Sequence, residues 1–207
     1  MYNHCVDKKK AYQILELADN HDGYVSVEEA KAHGIAQTYL SEEEKQGLFR
    51  RVAKGLYLKR GYPLDPYFLL HYKYKKAVFS LRSALALHGL IDSDEISVNL
   101  PNNYMTKGIE GAKSRHVGNK EFNVGLALAV TPNGTLVPCY DIERSLLDTI
   151  RYLDQFSKSE LSIIWKGAYA KGIDEEKLIE YAKTFHVEGE VRLIKKMLNI
   201  QGSIDYK

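Results

Sequence analysis

The chain has 207 residues, 44% of them hydrophobic and 27% charged, with 29 basic against 27 acidic side chains and a formal charge of +2. That length admits one large domain or two small ones, and the composition excludes a disordered or fibrous protein. So small a net charge also excludes a uniformly basic nucleic-acid binder, so affinity of that kind has to come from a local patch.

The opening segment MYNHCVDKKK lacks the apolar stretch of a secretion signal, and no later apolar run approaches membrane-spanning length. Cys5 and Cys139 lie in unrelated segments with no CxxC pairing, which points to a reducing cytoplasm. From Asp7 to Asn20, Ala11, Ile14, Leu15 and Ala18 recur at helical spacing behind Lys8, Lys9 and Lys10. Lysines at the positive end of a helix dipole are mildly unfavourable, which leaves phosphate contact and a solvated run both open. Asn20-His21-Asp22-Gly23 stops that helix.

Tyr24-Val25 is extended, and Ser26 with Glu29 forms a capping box that opens a short helix to about His33. Gly34 suits the left-handed turn that ends it. Gln37-Thr38-Tyr39-Leu40 opens a third helix, with Leu40 and, further on, Leu48 turned inward. Two helices around a tight turn are a helix-turn-helix, and the N-terminal end of the second would carry Gln37, Thr38, Tyr39 and Ser41 towards base edges. Glu42, Glu43 and Glu44 follow at once and would repel phosphate, so they are expected to face solvent or nearby basic residues.

Lys45, Arg50, Arg51, Lys54, Lys59 and Arg60 then occur without one acid before Asp65. Two apolar-basic runs, 48–52 and 56–59, flank Ala53-Lys54-Gly55 and read as a hairpin. Basic residues on both arms and at the tip make either a wing lying along phosphates or a solvated hairpin. Gly61-Tyr62-Pro63-Leu64-Asp65-Pro66 breaks regular structure, so the expected boundary separates a winged helix-turn-helix at 1–61 from a C-terminal domain at 62–207.

Beyond it, Asp65-Pro66 starts a helix through Phe68, Leu69 and Tyr72, and Ser80 caps another that ends at His88-Gly89. Ile96, Val98 and Leu100 alternate as a strand. Residues 105–123 are loop-rich and basic, with Lys107, Lys113, Arg115, His116 and Lys120, and could be a solvated connection or a further DNA contact. Residues 124–130 and Leu136-Val137 bracket Asn133-Gly134, a hairpin signal. Asp141 caps a helix striped with Ile142, Leu146, Leu147 and Ile150, with Asp148 expected on its surface. Three helices follow: one capped by Ser157 or Ser159 and carrying Trp165, one capped by Asp174, and one from about Glu188. On the last, Arg192, Lys195 and Lys196 oppose an apolar side. The expected class is α+β, a winged helix-turn-helix followed by a larger mixed domain ending in helices.

No GxGxxG after a strand, P-loop, HExxH or GxSxG is present, and the histidines are scattered, so neither a catalytic site, a metal site nor a cofactor is expected. Three segments in order, FRRVAKGLYLKR, VFSLRSALALHGLI and VPCYDIERSLLDTIRYL, resemble the AbiEi-type antitoxins of type IV, or abortive infection, toxin–antitoxin systems. The resemblance spans Lys8 to about Leu153 and, more loosely, the C-terminal helices.

The resemblance implies a bacterial antitoxin of phage defence that binds inverted repeats in its own promoter as a transcriptional repressor. It also implies a C-terminal domain that counteracts a nucleotidyltransferase-like toxin without a stable complex, and a monomer that pairs on DNA. Only the DNA-module positions, Gln37 to Ser41 and the basic residues from Lys45 to Arg60, carry over. A protein-interaction module that neutralises a toxin by direct binding is the alternative. An enzyme acting on nucleic acid would rest on the basic 105–123 stretch alone.

Overall fold

A computed structural model describes residues 8–106 and 108–200, so Cys5, Asp7 and Lys107 lie outside the described residues. The chain forms two compact units, one running through Lys73 and including Pro132–Thr135, the other made of Tyr74–Thr131 and the chain from Leu136.

The first unit runs α1 (Lys8–Asn20), β1 (Tyr24–Ser26), α2 (Val27–Ala32), α3 (Gln37–Lys45), β2 (Phe49–Ala53), β3 (Leu56–Lys59) and α4 (Pro66–Lys73). Its antiparallel sheet has β3 in the middle, between β1 and β2. A central strand has both faces covered, which is why Leu56, Tyr57 and Leu58 are all buried. Tyr57 joins Ile14, Ala18, Ala30, Ile35, Leu40 and Phe49 in the helical core, while Leu56 and Leu58 pack with Tyr24, Phe68, Leu69 and Tyr72 in a second cluster.

That second cluster moves the end of the unit. The Tyr24 and Phe68 rings lie 4.3 Å apart, Asp65 N donates to Tyr24 Oη at 2.8 Å, and Tyr72 Oη donates to Gly55 O at 3.3 Å. The breakers at 61–66 therefore end the sheet, and the compact unit continues through α4 to Lys73. Asp65 caps α4, accepting from Tyr67 N and Phe68 N.

The second unit contains β4 (Val78–Phe79), α5 (Leu81–Leu87), β5 (Ser97–Pro101), β6 (Lys113–Val117), α6 (Asn119–Phe122), β7 (Leu126–Val130) and β8 (Leu136–Tyr140). It ends in α7 (Ile142–Arg151), α8 (Lys158–Lys171), α9 (Glu175–Phe185) and α10 (Glu188–Met197). The sheet order is β6-β5-β4-β8-β7, with β4 parallel to β8, β5 parallel to β6, and antiparallel pairs β4–β5 and β7–β8. The Asn133-Gly134 hairpin forms, with Gly134 at φ +90°.

Several expectations change here. Ser97–Pro101 is buried along its whole length, because neighbours on both sides and helices leave it no wet face. The basic stretch expected as loop supplies the edge strand β6, whose KSRHV sequence carries too little apolar signal to announce it. Ser80 stands at the start of α5, yet its hydroxyl donates to Asn99 Oδ1 at 3.1 Å and makes no cap. Lys195 is buried, with Nζ donating to Glu175 at 2.7 Å. Asp141, Ser157 and Asp174 do cap α7, α8 and α9, and Ser157 with Glu160 closes a full capping box. Cys139 is a buried free thiol, and burial pushes it up to about 12, which leaves it inert as a nucleophile.

The largest correction concerns α7. It packs against α5, α8, α9 and α10, and both Arg144 and Asp148 have no exposed surface. Arg144 Nε donates to Asp148 Oδ1 at 3.0 Å, and its Nη1 donates to Val124 O at 3.0 Å and to Glu121 O. Its guanidinium also lies 4.4 Å from the Tyr140 ring centroid and 4.3 Å from that of Phe185. Burial pushes the Asp148 carboxyl up, against the pull of Arg144 and Arg151.

Removing Arg144 would leave the buried Asp148 with only the longer 3.3 Å bond from Arg151. Arg144→Ala is expected to cost about 3–5 kcal/mol in urea unfolding of the full chain. Glu160 tests a second support. Its hydrogen bonds from the Ser157 backbone and hydroxyl, then from Arg82, hold its carboxyl down from 4.5 to about 2. A carboxylate with a depressed folded value contributes stability above its unfolded value and loses it as the pH falls towards the folded one. Glu160→Gln should therefore be less stable than wild type at neutral pH, and the two unfolding midpoints should converge as the pH falls from 4.5 to about 2.

Candidate nucleic-acid interface

The helix-turn-helix is assembled by local bonds. Ser26 Oγ accepts from Glu29 N at 3.0 Å, capping α2, but the Glu29 carboxylate pairs with His21 at 2.7 Å, so only half of the expected capping box is made. His33 ends α2, Gly34 turns the chain at φ +68°, and Ile35 N returns to Ala30 O at 2.9 Å. Lys10 Nζ donates to Gly34 O at 2.9 Å, so this lysine of the opening run steadies the turn.

Ala36 precedes α3 with no side-chain cap, and Gln37 and Thr38 are exposed on its first turn. An uncapped helix start offers backbone N–H groups and positive potential to an anion. Tyr39 is half-buried against the core, and Ser41 Oγ donates back to Gln37 O at 3.3 Å. Tyr39 is turned into the module and Ser41 is bonded back onto its own helix, while Gln37 and Thr38 face outward.

The three glutamates part company. Glu43 is buried with Leu40, and burial, then Glu42, pushes its carboxyl up. Glu44 Oε1 accepts from Arg51 N at 3.3 Å, tying the end of α3 to the wing. Leu48, expected inside, lies beyond α3 and is 43% exposed, while Phe49 takes the inward place. Helical spacing cannot be extended past the residue where the helix stops.

In the wing, Arg50 pairs with Leu58 and Arg51 with Tyr57, and a bulge between Arg51 and Ala53 twists β2. Arg50, Arg51 and Lys54 are exposed, and Arg51 Nε donates to Ala53 O at 3.3 Å, along the strand. Gly55 at φ +75° closes the tip. Lys45 and Arg60 are exposed as well.

Lys59 is the exception among the basic residues. Its Nζ hydrogen-bonds Asp19 Oδ1, which also accepts from Tyr62 Oη at 2.8 Å, and it lies 5.8 Å from the Tyr62 ring centroid. The bonds from Lys59 and Tyr62 hold the Asp19 carboxyl below its ordinary value. Lys59 thus fastens β3 to α1, a role with no local sequence signal because its partner is far along the chain. Lys59→Ala is expected to loosen this corner slightly and lower the melting temperature by a small amount, as read in a thermal-unfolding experiment.

Among the described residues no group of three or more His, Cys, Asp or Glu side chains could hold a metal ion, and no helix is long and apolar enough to cross a membrane. The stretch from residue 12 to residue 58, which is the helix-turn-helix and its wing, matches the family model described as "Transcriptional regulator, AbiEi antitoxin". The resemblance read from the sequence therefore holds over this module, and the matched family is one of regulator antitoxins rather than an enzyme class. No curated protein matches the chain. The crystal structure of the RV2827C protein from Mycobacterium tuberculosis shares the fold, with a TM-score of 0.60 at 15% identity, over 95% of this chain and 83% of that one.

Proposed function

We propose that this protein is a bacterial, cytoplasmic antitoxin of the type IV class that represses its own promoter. The first unit binds inverted repeats, with α3 in the major groove and the wing along the backbone. In this reading Gln37 and Thr38 meet base edges, and Arg50, Arg51 and Lys54 meet phosphates with Lys45 and Arg60 beside them. Tyr39 and Ser41 set the helix. Monomers pair on adjacent repeats.

The observation that carries this reading is the disposition of charge on the module. Arg50, Arg51 and Lys54 are exposed on one hairpin, while Glu43 of the acidic run is buried and Glu44 holds the wing's backbone. The repulsion expected from the three glutamates is thereby reduced, and the wing keeps its charge. The match to the regulator antitoxin family over the same residues supports it further.

The second unit, in this proposal, opposes a nucleotidyltransferase-like toxin without a lasting complex and without catalysis of its own. One observation favours direct binding instead. Leu126, Leu128 and Val130 of edge strand β7, with Leu136 opposite Val130, present an exposed apolar stripe.

Replacing Arg50, Arg51 and Lys54 together by Ala should weaken operator binding and lower the salt slope by about one unit for each phosphate no longer neutralised. The same variant should still protect cells from the toxin, and toxin and antitoxin should separate on purification. An unchanged affinity and slope in a mobility-shift titration would remove the wing from the interface. Stable co-purification that Leu128→Asp abolishes would install the direct-binding reading.

A further inference from the structure

The second unit carries an open cleft of about 610 Å³ that the DNA-binding proposal does not use, lined by Arg82, Ser93, Glu95, Lys113, Arg115 and Gln155. Four segments build it. Arg82 comes from the first turn of α5, Ser93 and Glu95 from the loop before β5, Lys113 and Arg115 from edge strand β6, and Gln155 from the 3-10 turn Leu153–Gln155 after α7.

The charges in it are unequally matched. Arg82 Nη2 donates to Glu160 Oε1 at 3.0 Å and to Gln155 O at 2.8 Å, and Lys113 pairs with Glu95. Arg115 has no carboxylate partner in the described residues. Its Nη2 donates to the neutral Gln155 Oε1 at 3.0 Å, its guanidinium lies 4.7 Å from the Tyr152 ring centroid, and its buried Nη1 has no hydrogen-bond partner. A buried guanidinium N–H without an acceptor is costly, and with only a neutral amide as partner the Arg115 charge stays uncompensated beside the open cleft.

The remaining donors define that acceptor. Ser93 Oγ accepts from Glu95 N, which leaves its own O–H to donate, and Gln155 has its amide N–H groups left once Oε1 is taken by Arg115. Lys113 is exposed and brings an ammonium that Glu95 engages from one side. A guanidinium, an ammonium, a hydroxyl and an amide offer more donors than one carboxylate can use and suit a tetrahedral oxyanion.

The cleft walls are held stiffly. Ser83 Oγ donates to Glu95 O at 3.2 Å, Ser97 Oγ donates to Ser80 O at 2.7 Å, and Ser97 N donates to Ser83 Oγ at 2.8 Å. Between Ser80 and Arg82, the buried Leu81 sits at φ +47°, a left-handed conformation that a leucine keeps only when its surroundings enforce it. The strain seats Leu81 in the core next to Arg82, which lines the cleft.

We infer that this cleft binds the phosphoryl group of a small phosphorylated molecule, with Arg115 as the principal donor. Glu95 and Glu160 at its edges disfavour a continuous polyanionic strand, and the volume is that of a small-ligand site.

Calorimetric titration of the full chain with inorganic phosphate and with pyrophosphate, in chloride buffer, tests this. One saturable site is expected, weakened about tenfold or more by Arg115→Gln. Glu95→Gln should tighten it severalfold by freeing Lys113. Should Arg115→Gln unsettle β6, the exposed Lys113→Gln provides the reading on an intact fold and should weaken binding severalfold. No saturable phosphate binding, or binding indifferent to Lys113, Glu95 and Arg115 alike, overturns the inference. So does binding of a single-stranded oligonucleotide without terminal phosphates that Arg115→Gln abolishes while phosphate itself fails to bind.

Discussion

A guanidinium with no exposed surface has to find its partners within the protein, and in the second unit the Arg144 group sets that demand, met at Nε and Nη1 while Nη2 has no hydrogen-bond partner. Asp148 answers it from one turn along α7, the carbonyls of Glu121 and Val124 from the segment entering β7, and the rings of Tyr140 and Phe185 from β8 and α9. Arg151 reaches the same carboxylate, at 3.3 Å, and Glu121 as well. A single buried charge thereby ties sheet, connection and helical layer together. An apolar residue there would pack with similar volume but would not require those five groups at those places. The apolar stripe of α7 supplies burial energy, and the buried pair adds register.

The first unit solves a different problem. Three short strands cannot bury a two-faced central strand by themselves, so β3 needs a cover on each side. Helices α1 to α3 supply one and α4 the other. Because α4 comes after the prolines, the compact unit extends beyond the wing, and the Tyr24 hydroxyl bonded to the Asp65 backbone fastens the added cover. Tyrosine suits such positions, since its ring packs while its hydroxyl finds a backbone partner.

Basic residues of equal chemistry are put to unequal use. Lys10 closes the turn before α3, Lys59 binds Asp19, and Lys195 is buried against Glu175. Arg50, Arg51 and Lys54 keep their charge at the surface of one hairpin. What separates the groups is whether the fold brings a carboxylate or carbonyl to the ammonium, and those partners lie 24, 40 and 20 residues away in the three structural cases. The acidic run after Ser41 divides for the same reason, with Glu43 inside and Glu44 on the wing.

Local chemistry was legible in the amino-acid sequence alone. Capping residues, the glycine turns, the helical stripes and the Asn-Gly and Lys-Gly hairpins depend on neighbours a few positions apart, and those elements stand where their signals put them. The helix-turn-helix with its wing was visible for that reason, and so was the α+β class. Tertiary structure decided what depends on distant partners. The polar KSRHV segment became an edge strand because β5 lay ready to pair with it, and Asp148 became a buried counter-ion because Arg144 was buried one turn away. The cleft around Arg115 draws its walls from α5, the loop before β5, β6 and the turn after α7, which no spacing along the chain brings together. Periodicity marks which residues seek burial, whereas the pairing of a charge is settled only when the whole chain has closed around it.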